Sequence, residues 1–201
     1  MAGLIARCLG AARLDAATYE GVEADESTTG QAMFVVALSS VAAGIGAADQ
    51  AGMPGIVGGT VVSVAAWFLW AALVTLIGTR LLPEPSTQAD LGQVIRTTGF
   101  SASPGVLQIL GVVPNLGPVV GPLTNLWMLA AMVVAVRQAL DYTGTGRAIL
   151  VTVLGFVAFV AVLMLLAMFF GVRIGLIEAV YRGGGPDSFG SPGILTVPLF
   201  T

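Results

Sequence analysis

Between Arg96 and Arg137 the chain reads TTGFSASPGVLQILGVVPNLGPVVGPLTNLWMLAAMVVAV, residues 97–136, without one charged side chain. A bilayer core is about 30 Å thick, and a helix needs roughly 20 apolar residues to cross it. The window is long enough for two crossings, and Pro114-Asn115-Leu116-Gly117-Pro118 supplies a break between them. Proline has no N–H for the helical ladder and disfavours helical geometry in the residue before it. The stretch therefore reads as two apolar segments, residues 97–113 and 119–140, the second returning the chain to the side it left. The first of these contains Pro104, so it is either a kinked span or a re-entrant half, with Ser101 and Ser103 near enough to satisfy the carbonyl that proline frees.

Outward from this window the pattern repeats. No charge falls between Glu26 and Asp49, between Asp49 and Arg80, or between Arg147 and Arg173. These gaps add segments at residues 27–48, 56–79 and 148–172, the last being the most uniformly apolar. The expected fold is all-α, an integral membrane bundle of five transmembrane helices over residues 27–172. An N-terminal amphipathic segment, residues 1–26, precedes it, and an extended tail, residues 173–201, follows. Only 9% of the 201 residues are charged and 56% are hydrophobic. Soluble domains carry about 25% charged residues, so this chain could not cover a water-facing surface.

Residues 2–20 read as one short helix, with Leu4, Ile5, Cys8, Leu9 and Ala12 on one face and Arg7 and Arg13 beside it. Such a helix suits the headgroup region, or it packs on loops or a partner. Cys8 reads as a small apolar residue on that helix. The apolar run before Arg13 is short and interrupted by Arg7, so no cleavable signal is expected. Thr28-Thr29-Gly30-Gln31 has the form of a capping box opening the first span. A Gly-rich turn with Gly52, Pro54 and Gly55 should lead into the second, where Trp67 and Trp70 fall mid-segment and read as packing residues. Residues 80–96 form a polar loop with a short amphipathic helix carrying Leu91, Val94 and Ile95.

Orientation follows from arginine, which supplies all the basic residues; lysine and histidine are absent. With the N-terminus inside, Arg7, Arg13, Arg80, Arg96, Arg137 and Arg147 all lie on one side, and only Arg173 and Arg182 on the other. The positive-inside rule then predicts a cytoplasmic N-terminus and an outer C-terminus. Arginine-only basicity with abundant alanine, glycine and valine points to a GC-rich bacterial genome, hence the bacterial cytoplasmic membrane.

The spans hold little chemistry. Absent histidine removes Ser/His and Cys/His dyads and the commonest metal ligand, absent lysine removes a Ser-Lys dyad, and the single Cys8 cannot form an internal disulfide. Asp49, Asp90 and Asp141 fall at segment ends, so no intramembrane carboxylate pair forms. No catalytic, metal or cofactor site is expected, and neither nucleic acid nor a small-molecule substrate is the expected partner. The candidate partner or lipid contacts are Arg7, Arg13, Arg137, Asp141 and Arg147, with Leu195, Val197, Leu199 and Phe200 at the apolar end of the tail. Arg137 and Asp141 are spaced to pair on one helix face. Pro104, Pro114, Gly117, Pro118 and Gly121 are the candidate kink and packing positions. Gly55/Gly59, Gly117/Gly121 and Gly171/Gly175 have the spacing that lets membrane helices approach closely, here most simply within the chain. Ser39, Ser40, Ser63, Thr75, Gln108 and Asn125 are the polar residues inside spans, and they look scattered.

The order of features resembles the Yip family of small five-span membrane proteins over roughly residues 30–170. The carrying pieces are Gly99-Phe100-Ser101-Ala102-Ser103-Pro104, Leu110-Gly111-Val112-Val113-Pro114, Trp127, Ala135-Val136-Arg137-Gln138-Ala139-Leu140-Asp141 and Thr145-Gly146-Arg147-Ala148. The acidic N-terminal segment is similar to that of prokaryotic members, and the Asp-Leu-Tyr-Gly-Pro signature of eukaryotic trafficking members is missing. The resemblance implies an integral membrane protein without catalytic residues. The expected function is a non-enzymatic scaffold or accessory subunit, contacting the lipid bilayer and other membrane protein subunits. A small transporter or channel, or a membrane-shaping protein, is the alternative.

Overall fold

The computed structural model describes the backbone of residues 3–46 and 48–183, with their side chains except in 48–55 and 172–183. Seven α-helices run along it: α1 (Leu4–Ala12), α2 (Ala16–Ala24), α3 (Thr29–Gly46), α4 (Ala48–Leu76), α5 (Leu91–Ser101), α6 (Gly117–Ala139) and α7 (Thr145–Gly183). The described residues contain no strand. Among the described residues, four helical stretches are long and apolar enough to cross a membrane: Glu26–Gly46, Ile56–Leu81, Gly117–Ala139 and Thr145–Gly171. The chain divides into two compact units, Met1–Phe159 and Val160–Thr201.

The expected span at 97–113 is not a single helix of that kind. Its first residues complete α5, and the rest is a 3-10 helix, Ser103–Val112. Pro104 is the cause, having no N–H to give the Phe100 carbonyl. The Ser103 hydroxyl donates to that carbonyl at 2.6 Å, and Ser101 donates to the Thr98 carbonyl at 2.6 Å. A 3-10 helix rises about 2.0 Å per residue against about 1.5 Å for an α-helix, so this short stretch reaches further than its residue count implies. It ends in a tight turn in which Leu116 N–H donates to Val113 O at 3.1 Å. Pro114 and Asn115, the latter at φ 67°, occupy the two central positions, the pattern of a type II turn.

The N-terminal segment is two helices rather than one. Leu14 turns the chain at φ 63°, and the Asp15 carboxylate caps α2 by accepting from Thr18 N–H at 3.1 Å. Ala11, Tyr19 and Val22 are buried in the common core, while Ile5 (75% exposed) and Leu9 (52%) point outward. The capping box expected at Thr28 and Gln31 does not form, because helical turning begins earlier, at Glu26, capped by Asp25. The Thr28 hydroxyl instead donates to Val22 O at 2.9 Å. A complete capping box opens α5, where Gln93 N–H donates to Asp90 Oδ1 at 2.8 Å and Asp90 N–H to Gln93 Oε1 at 2.7 Å. α4 begins at Ala48, so its backbone is already helical through the turn expected at Gly52–Gly55.

Close packing in the first unit rests on α3 against α5 and the 3-10 helix. A Cβ on Gly99 would sit 2.7 Å from the Ala32 side chain, and one on Gly46 would overlap the Gln108 carbonyl. Ser39 closes the contact by donating to Ala102 O at 2.7 Å. The glycines expected at helix crossings behave differently: Gly59, Gly121 and Gly171 face open space. Repeat spacing shows which positions are small but not which face meets a neighbour. Trp67 and Trp70 are buried packing residues, as their mid-segment positions predict.

α7 continues to Gly183, past the end expected at 172. In the second unit Leu163, Met164, Leu165, Leu166, Met168 and Phe170 are all exposed, so the helix is apolar around its circumference, as in lipid. Phe169 and Phe170 meet edge-on, with centroids 5.6 Å apart. Leu195, Val197, Leu199 and Phe200 lie outside the described residues.

Candidate functional site

Two polar regions stand out in the first unit, one at a charged end and one at mid-span. The charged end is assembled around Arg96, which is only 7% exposed. Its Nε and Nη2 both donate to the backbone carbonyl of Glu23, at 2.9 and 2.6 Å. That carbonyl belongs to the last turn of α2, where no intrahelical donor remains and a cation is favoured. The Glu23 carboxyl accepts from Gln93 Nε2 at 3.0 Å, and Glu20 accepts from Gln138 at 3.1 Å. Burial, and then the neighbouring Asp141 carboxylate, push the Glu23 carboxyl up to about 7 despite Arg96.

Further ties join the ends of the helices. Tyr142 donates to the Leu82 carbonyl at 2.8 Å and the Gly78 carbonyl at 3.1 Å, closing the short π-helical end of α4. Glu84 accepts from Thr143 N–H at 2.9 Å and pairs with Arg147 Nε at 3.6 Å. The Thr143 amide holds the Glu84 carboxyl below its ordinary range.

The second region is a cavity of about 470 Å³ at the middle of the spans, bordered by α3, α4, α6 and α7. Trp67, Trp70, Phe156 and Phe159 give it aromatic walls. Ser39, Ser40, Ser63, Gln108 and Asn125 all line it, so the polar residues that look scattered in sequence converge here. Thr75 is the exception, its hydroxyl donating along its own helix to Ala71 O at 2.8 Å. Gln108 Nε2 donates to Asn125 Oδ1 at 3.1 Å, and Trp67 Nε1 to Thr98 Oγ1 at 3.2 Å. Among the described residues, no charged side chain lines the cavity.

The candidate residues read from the sequence separate accordingly. Arg7 is an internal tie, 2.7 Å from Asp25 and 3.0 Å from Gln31. Arg147 binds Glu84 and the Pro83 carbonyl. Arg13 is exposed. Arg137 and Asp141 do not pair, since α6 ends at Ala139 and Asp141 turns away at φ 51°. Arg137 instead lies 3.4 Å from the Tyr142 carbonyl. Pro104 is buried in the 3-10 helix, Pro114 makes the turn, Pro118 opens α6, and Gly117 sits 3.4 Å from the Gly111 carbonyl. The Arg96–Glu23 contact was not readable from the sequence, because residues so far apart in the chain carry no local signal of pairing. Among the described residues no cluster of His, Cys, Asp and Glu could hold a metal ion.

A family model described as the Yip1 domain matches residues 16–177. Comparison with the curated proteins and with the solved structures finds no match.

Proposed function

Because the chain belongs to the Yip1 domain family, we propose that it is a non-enzymatic scaffold or accessory subunit of a larger membrane complex. The membrane would be the bacterial cytoplasmic one, with the N-terminus inside. The observation that carries this reading is the outward, open face of small residues on the spans. Gly58 and Gly59 on α4 and Gly121 on α6 have nothing within 4 Å of where a side chain would begin. In lipid, helices associate by van der Waals packing where small residues let backbones approach closely. The orientation is supported by the charged end, where Arg7, Arg96, Arg137 and Arg147 all engage polar groups of the helix ends. In that arrangement the composite of α5 and the 3-10 helix would supply a fifth crossing.

The test is gentle extraction from the native membrane, sizing, and mass spectrometry of what travels with the chain. A stoichiometric partner, lost in Gly59→Leu and Gly121→Leu variants that still unfold at the wild-type temperature, supports the reading. Migration of the wild-type chain alone would sink it. A second reading, a small transporter, draws on the Gln108–Asn125 pair inside the cavity. It requires solute flux that Gln108→Leu and Asn125→Leu abolish.

A further inference from the structure

The mid-span cavity has a floor and a rim with different hydrogen-bonding states. On the floor, buried Ser39 and Trp67 spend their donors inside the protein, on Ala102 O and Thr98 Oγ1. Around the opening, Ser63 and Asn125 are exposed beside Leu129 and Phe156. Among the described residues, the Ser63 hydroxyl and the Asn125 amide nitrogen have no acceptor. These residues sit within Ile56–Leu81 and Gly117–Ala139, two helices long and apolar enough to cross a membrane. A polar group left unpaired in hydrocarbon costs free energy, so an oxygen atom brought to this place is favoured.

Three properties restrict what could bring it. Among the described residues the lining carries no charge, so an ionised ligand would be desolvated without a counterion. The unpaired groups include the Ser63 and Asn125 donors beside the Gln108 Oε1 acceptor, which suits a ligand oxygen that accepts and, in a hydroxyl, also donates. The volume of about 470 Å³ lies within the roughly 300–1,000 Å³ of small-molecule pockets, and the two tryptophans with Phe156 and Phe159 favour a compact apolar body. We infer that the cavity binds one uncharged lipophile whose carbonyl or hydroxyl oxygen accepts from the Asn125 amide, with Ser63 and Trp70 beside it. The site is independent of the scaffold reading, since it uses the interior of the bundle rather than the open glycine faces of α4 and α6.

The experiment uses the full chain in nanodiscs of phosphatidylethanolamine and phosphatidylglycerol. The probe is a long-chain alcohol bearing a photoreactive diazirine, with the matching carboxylate and amine as ionised counterparts. After illumination the modified residues are mapped by mass spectrometry. The alcohol should label the segments carrying Ser63, Trp70 and Asn125, saturate, and be displaced by unlabelled alcohol. The ionised probes should label these segments at least tenfold less. Ser63→Phe, which blocks the opening, should lower labelling at least tenfold. Asn125→Leu should lower it about threefold to tenfold, the effect of one hydrogen bond within a membrane protein. Thermal unfolding of each variant shows whether it folds, and Asn125→Leu alone decides if Ser63→Phe does not. Labelling that never saturates, that ignores Asn125→Leu, or that is equally strong with the ionised probes overturns the proposal. So does a cross-link from these residues to a second copy of the chain, which would make the occupant a helix.

Discussion

Around Arg96, one guanidinium, the Glu23 carbonyl and carboxyl, Gln93, Glu20 and Gln138 satisfy one another at 2.6–3.1 Å. Around the cavity, the Ser63 and Asn125 donors remain without acceptors inside helices long and apolar enough to cross a membrane. Both regions are polar, and they differ in whether the polarity is used up inside the chain. Polar groups that close on one another hold helix ends in place, and polar groups left open in a low-dielectric interior await something from outside. Substitutions should therefore have opposite signatures in the two regions, with stability responding at the charged end and occupancy responding at the cavity.

The largest effect belongs to Arg96→Leu. It removes a buried cation and leaves the Glu23 carbonyl without a donor, which costs about 2–3 kcal/mol. Thermal unfolding in detergent should show that loss, with Arg96→Lys falling between the two because one ammonium cannot copy the two-nitrogen grip. An unchanged unfolding temperature for Arg96→Leu would erase the contrast between the regions.

Glu23→Gln sharpens the comparison through pH. The folded-state value of about 7 lies above the ordinary 4.5, so the folded chain holds this proton more tightly than the unfolded one. The associated stability is full below about pH 4.5 and is lost as pH rises through about 7. A shift of this size in a fully buried group would correspond to about 3 kcal/mol, and solvent screening of a half-buried carboxyl reduces it to about 1 kcal/mol. Wild-type protein should therefore be more stable at pH 5 than at pH 8. Glu23→Gln should flatten that dependence and gain stability at pH 8, since the amide oxygen can still accept from Gln93. A wild-type stability that rises between pH 5 and pH 8 and is unaltered by Glu23→Gln would refute this assignment.

At the cavity, Gln108→Leu and Asn125→Leu both break the Gln108–Asn125 hydrogen bond, and Gln108→Leu also removes the 3.7 Å contact of Nε2 with Met128 Sδ. Their net effect on unfolding should stay within about 0.5 kcal/mol, the range of substitutions away from tightly paired groups. A loss as large as that of Arg96→Leu would show that the mid-span amides hold the fold together.

The two regions were not equally legible in the sequence. The four long apolar helices follow from where charges stop, because hydrocarbon thickness fixes a minimum run length that any sequence displays. The role of Ser103 beside Pro104 was legible for a similar reason, since a missing N–H creates a local need that a nearby hydroxyl meets. Residues 97–113 were harder, because choosing between α and 3-10 winding there depends on how Gly99, Gly105 and Gly111 press against α3. The break at Leu14 also escaped, as nothing in its side chain announces φ 63°. Convergence of Ser39, Ser63, Gln108 and Asn125 depends on helix rotation, which periodicity leaves open when a helix is apolar all round.

The smallest effect is the most diagnostic of that limit. Spacing alone puts Arg137 and Asp141 one helical turn apart, and an exposed pair of this kind is worth about 0.3–0.5 kcal/mol. The helix stops at Ala139, however, and the Asp141 backbone at φ 51° turns the chain out of register. Arg137→Ala and Asp141→Gly should therefore be additive in a double-mutant cycle, with a coupling indistinguishable from zero. Asp141→Gly should not destabilise, because glycine adopts this left-handed backbone without a steric penalty. It should instead act at a distance, lowering the titration of Glu23 by removing a nearby negative charge. A measurable Arg137–Asp141 coupling, or an unmoved Glu23 titration, would mean that Asp141 faces its own helix, as the spacing implies, and not the charged end built around Arg96.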